Sequence, residues 1–168
     1  MKCERKQVRN TCIITGGIVF LSCIASIVYS HCEIPCGIYD DPMRFDMMAE
    51  NIKTIEKAML QINQLEGDSG HNSNQIVRWI INKEHHADQL CEVVTQYFLK
   101  QRIKPVWDEQ NAEYAKYTRQ LVLLHKLMVY SMKCKQTTDL ENVSRLRESL
   151  EQFKKTYLGK ESSQHDHS

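Results

Sequence analysis

Turn-forming residues are what this sequence has least of: six glycines and three prolines among 168 residues, with aromatics at 8%. A sheet protein needs such residues at its turns. Their scarcity, beside abundant Leu, Ile, Glu, Lys and Gln, points to an all-α fold. One-sided charge is also missing. Lys and Arg number 22 against 21 Asp and Glu, a formal net charge of +1. No basic footprint for nucleic acid and no acidic tail follows from that balance. The length suffices for one domain with a real core.

Hydrophobicity is unevenly spread, and much of it sits in residues 1–30. Lys2, Arg5, Lys6 and Arg9 form a positive start, followed by an apolar run from Cys12 to Tyr29. Val28-Tyr29-Ser30 ends the run with small residues at −3 and −1, the form of a signal-peptidase site, so cleavage is expected before His31. An uncleaved membrane anchor is the competing reading. The run is short for spanning a bilayer, and Gly16, Gly17, Ser22 and Ser26 dilute it. A lipoprotein cut before Cys23 is a third reading, for which Phe20-Leu21-Ser22 is a poor match. The leader holds four of the basic and one of the acidic residues, so residues 31–168 are near −2.

After Ser30 the chain divides into a short hook, residues 31–41, a helical region, residues 42–158, and a polar tail, residues 159–168. Asp41 reads as an N-cap with Pro42 at the first helical position. Met48, Ile52, Ile55, Met59 and Ile62 then alternate steps of four and three, a one-sided helical seam. Residues 66–74 are loop-like in composition. A second helix is expected from Gln75 to Gln101, with Ile76, Ile80, Ala87, Leu90, Val94 and Tyr97 on one side. A third, starting near Asp108, carries Tyr114, Tyr117, Leu121, Leu124 and Met128. Thr138-Asp139-Leu140-Glu141 has the form of a capping box opening a fourth, lined by Leu140, Val143, Leu146, Leu150 and Phe153. Four amphipathic helices with short links specify an up-down four-helix bundle preceded by an N-terminal hook. Cys91 and Cys134 fall at or beside apolar positions, where buried free thiols are expected.

The chemistry lies in the hook, His31-Cys32-Glu33-Ile34-Pro35-Cys36-Gly37-Ile38-Tyr39-Asp40. With the leader removed, His31 offers an α-amine and an imidazole. Cys32 adds a thiolate and a backbone nitrogen, and Cys36 a second thiolate. Pro35 and Gly37 let the segment curl tightly. A planar set of two nitrogens and two sulfurs suits Ni(II) or Cu(II), whereas Zn(II) prefers a tetrahedron and has no redox chemistry. Two cysteines four apart in an exported chain also fit a disulfide or an incidental thiol pair. The spacing alone leaves these open; His-Cys falling at the cleavage site favours a metal.

His-Cys-x-x-Pro-Cys-Gly-x-Tyr, unbroken at His31, Cys32, Pro35, Cys36, Gly37 and Tyr39, resembles the metal hook of nickel-containing superoxide dismutases. Ile55–Met59, Val77–Trp79, Asn82–His85 and Gln96–Pro105 are similar to the cyanobacterial and algal branch. The resemblance implies one nickel ion per subunit, superoxide as substrate, and a homohexamer with hooks at subunit contacts. It implies that the His31 amine, the Cys32 amide and the Cys32 and Cys36 thiolates form the plane, with the His31 imidazole axial. Tyr39 resembles a tyrosine near the open axial face, although a packed hook aromatic is an equal reading. Glu33 replaces a frequent Asp. Where relatives hold the axial imidazole with a Glu and an Arg, this chain has Met47 or Met48, and His86, so that task must be met differently. His85 and His86 point about 100° apart on a helix, which argues against joint ligation. Further expectations are a maturation protease, export to a periplasm, organelle lumen or the outside, and membrane contact only through the uncleaved leader. The rival functions are an exported metal-binding or thiol-redox helical module and a membrane-anchored helical interaction protein.

Overall fold

The computed structural model describes residues 37–67, 70 and 72–159. The leader, His31, Cys32, Cys36 and the polar tail beyond Gly159 lie outside them. The chain divides into two compact units, Met1–Tyr39 and Asp40–Ser168. In the first, Gly37 has φ +75°, in the left-handed region that glycine tolerates best.

The second unit contains four helices and, among the described residues, no strand. Helix α1 is Asp41–Glu66 and α2 is Ser73–Glu92, which continues as a π-helical segment, Val93–Arg102. Helix α3 is Tyr114–Gln136 and α4 is Glu141–Leu158. Consecutive helices pack together and α4 returns onto α1. Polar bridges fix the alternating directions: Asp41, at the start of α1, meets Arg102 and Tyr157, near the ends of the second and fourth helical segments. At the other end Asn63 of α1 donates to the Thr138 carbonyl just before α4, at 3.3 Å. This is the expected up-down bundle. No helix among the described residues is long and apolar enough to cross a membrane.

Met48, Ile52, Ile55, Met59 and Ile62 are all buried, joined by Phe45 one turn earlier. Val143, Leu146, Leu150 and Phe153 of α4 are buried too. Helix α3 differs from expectation. Its buried side is Gln120, Leu123, Leu124, Leu127, Ser131 and Cys134, while Tyr117, Leu121 and Met128 only flank the core. Apolar residues run nearly all round this helix, so two stripes are available. Ser131 marks the inner one, because its hydroxyl donates to the Ala87 carbonyl of α2 at 2.8 Å and permits close approach.

The helix starts also differ. The cap of α1 is Asp40, not Asp41: its Oδ1 accepts the Met43 N–H at 2.9 Å. Helix α3 opens at Tyr114, six residues later than expected. Asp108 Oδ1 accepts from the Gln110 N–H at 3.0 Å and Asn111 Oδ1 from the Glu113 N–H at 2.9 Å, local turns that compete with helix. The capping box of α4 does not form. Asp139 Oδ1 accepts the Glu141 N–H at 3.0 Å, and the Glu141 carboxylate pairs with Arg145 at 2.9 Å instead.

Phe45, Phe98 and Phe153 stack at the Asp41 end of the bundle, with ring centroids 4.9–5.5 Å apart. Such tilted and edge-on pairs favour one rigid arrangement. Tyr97 and Tyr157 extend this cluster toward the surface.

Candidate metal centre

Asp40 and Asp41 follow Tyr39 directly, so the chain leaves the hook into the first turn of α1. That turn is held firmly. Asp41 accepts four hydrogen bonds: Arg102 Nε donates to Oδ1 at 2.9 Å and Arg102 Nη2 to Oδ2 at 2.6 Å, while Tyr97 donates to Oδ1 at 2.6 Å and Tyr157 to Oδ2 at 2.9 Å. The Tyr157 hydroxyl also accepts from Arg102 Nε at 3.1 Å. A forked guanidinium on a carboxylate fixes direction as well as distance.

The π-helical turn makes this convergence possible. In an α-helix residues five apart lie about 140° apart round the axis. Hydrogen bonding from i+5 to i, seen where the Ile103 N–H reaches the Phe98 carbonyl at 2.8 Å, brings them nearly over one another. Tyr97 and Arg102 therefore reach the same carboxylate.

The electrostatics follow from the contacts. Burial would raise the Asp41 carboxyl, but hydrogen bonds from Arg102, Tyr97 and Tyr157 outweigh it and hold the pKa below the ordinary 3.8. Burial and the Asp41 hydrogen bond push the Tyr157 phenol up to about 12 and Tyr97 higher still. All four groups keep one protonation state around neutrality. Arg44 lies beside them, its guanidinium carbon 4.9 Å from the Tyr97 ring centroid. Its Nε is buried and makes no hydrogen bond.

Of the expected site residues Tyr39 alone is described, 42% exposed. His31, Cys32 and Cys36 lie outside the described residues. Among these, no three His, Cys, Asp or Glu side chains could hold a metal ion together. Met48 is fully buried in the core, and the Met47 sulfur lies 3.5 Å from an Arg44 Nη1 donor. His86 Nδ1 donates to Asn51 Oδ1 at 2.7 Å, a polar bridge between α2 and α1. Burial, then the neighbouring His85, lower the His86 pKa and favour the neutral ring. The His85 and His86 rings meet edge-on, with centroids 5.6 Å apart and 76° between their planes. Cys134 is a buried free thiol, pushed up to about 11 by burial; Cys91 is free and half-buried.

The Asp41 cluster is the feature that pattern reading missed. Pattern gives Asp41 a capping role and Tyr97 a seam position, places Arg102 only within the family-like stretch Gln96–Pro105, and gives Tyr157 no role. Their meeting depends on contacts 55–116 residues apart in sequence.

The chain matches the family model for nickel-containing superoxide dismutase over residues 26–161, the hook and bundle included. This chain belongs to the nickel-containing superoxide dismutase family. No curated protein and no solved structure matches it. The family makes it an oxidoreductase acting on superoxide, with one nickel ion per subunit. Nickel suits the donors that this superoxide dismutase has available, since two thiolates and several nitrogens are confined to residues 31–36.

Proposed function

We propose that the catalytic centre of this superoxide dismutase is the hook itself, opened by removal of residues 1–30. The observation that carries this reading is the unbroken His-Cys-x-x-Pro-Cys-Gly-x-Tyr motif placed directly after Val28-Tyr29-Ser30. The residues that hold the metal are His31, through its amine and imidazole, Cys32, through its thiolate and backbone nitrogen, and Cys36, through its thiolate. When bound, nickel supplies a one-electron couple between Ni(II) and Ni(III), so that two superoxide ions and two protons give oxygen and hydrogen peroxide. Anionic sulfur and amide donors are what bring that couple within reach. Tyr39 would order water beside the bound metal and restrict access to small anions. Assembly into a homohexamer, processing by a maturation protease and an exported location belong to the same reading.

The test moves the amine without touching a side chain. One Ala inserted between Ser30 and His31, with cleavage still after Ser30, turns the His31 amine into a peptide nitrogen. Both cysteines and their spacing survive. Nickel content and dismutation rate should fall by about tenfold or more, with unchanged circular dichroism. Intact mass of the parent should place its first residue at His31. An inserted variant within about twofold of the parent would show that the amine is not a ligand.

A further inference from the structure

We propose that Arg102 and Asp41, with Tyr97 and Tyr157, are positioning residues for the metal hook: they fix the root from which it leaves the bundle and so govern how tightly nickel is held. This rests on the hook being the nickel site. Four residues separate Cys36 from Asp41, a reach of at most about 18 Å, so disorder at the root passes directly into the hook. The first turn of a helix is where fraying begins, because its N–H groups have no intrahelical acceptors. Here Asp40 caps the Met43 N–H, and Asp41 is tied to two other helical segments.

The arrangement is too specific for its stabilising value. The side chains of Arg102 and Asp41 are 27% and 16% exposed, and ion pairs in contact with solvent add little to stability. A carboxylate receiving a fork and two phenols instead admits one orientation. The π-helical segment, a costly deviation from regular helix, is what aligns Tyr97 with Arg102. An ordered root lowers the entropy lost when the hook closes on the metal, which slows nickel release.

The experiment uses the full chain, expressed so that it is processed and nickel-loaded. Nickel loss to excess EDTA is followed by the thiolate-to-nickel absorption, and thermal melting is recorded for each variant. Arg102→Met should release nickel about tenfold faster than the parent, the scale set by losing an outer partner of a metal ligand set. Arg102→Lys keeps the charge and loses the fork, so it should fall between, at about threefold. Lys83→Met is the control. Lys83 is buried and donates to the Lys135 and Thr137 carbonyls at 2.9 and 3.0 Å, so its loss lowers the melting temperature away from the hook root. It should release nickel within about twofold of the parent. Should Arg102→Met fail to fold, Tyr157→Phe, which deletes one donor and no charge, makes the same comparison. Release from the Arg102 variants no faster than from Lys83→Met overturns the inference and leaves the hook standing. A parent that binds no nickel overturns both.

Discussion

On the proposed reading, single residues carry two separable burdens in this protein, chemistry in the hook and geometry at its root. Cys32 and Cys36 precede every apolar seam of the bundle, so replacing either by Ser should leave the helices intact. Nickel content and turnover should each fall by about a hundredfold, because a hydroxyl is not ionised near neutrality and cannot replace a thiolate. Metal analysis beside circular dichroism checks this, and a Ser variant with parental nickel and rate would remove that cysteine from the ligand set. Gly37 belongs to the geometry. At φ +75° it turns the chain just past Cys36, where a side chain would strain the backbone.

At the level of elements, the ends of helices decide more than their middles. The start of α4 shows this well. Thr138 and Glu141 match a capping box, yet Asp139 supplies the acceptor for the Glu141 N–H. Asp139→Ala should therefore cost about 1 kcal/mol of stability, while Thr138→Ala should change little. Urea unfolding of the two variants separates the motif from the contact, and the reverse order would restore the capping box. The π-helical segment is the other case. Val93, Val94, Tyr97 and Phe98 are all buried there, a broader apolar face than one α-helical seam presents.

The Asp41 carboxylate gives the bundle a modest sensitivity to acid. It ties α1 to the π-helical segment and to α4, and its folded pKa lies below the ordinary 3.8. A depressed carboxyl contributes fully above the unfolded value and loses that contribution as pH falls through the folded one. The melting temperature of the parent should therefore exceed that of Asp41→Asn near neutrality. The gap should narrow as pH drops below about 4, once both states bind the proton. A gap constant from pH 7 to pH 2 would mean that Asp41 acts through shape alone.

The sequence by itself determined the fold class, the seams of α1 and α4, and the family. Those rest on short-range facts: three-four spacing along one helix, and a hook motif whose residues all lie between His31 and Tyr39. It also offered two usable stripes on α3 and a plausible cap at Thr138, and local pattern could not choose between competing options of similar energy. Tertiary structure made those choices. Ser131 selected the inner face of α3 by its bond to the Ala87 carbonyl, and Asp139, just ahead of the N-cap Leu140, took the Glu141 N–H. Arg102, Tyr97 and Tyr157 met Asp41 only because antiparallel helices and a π-helical turn brought the distant ends of three segments together. A carboxylate held by partners 56–116 residues away has no local signature, since its geometry exists only after the chain has folded.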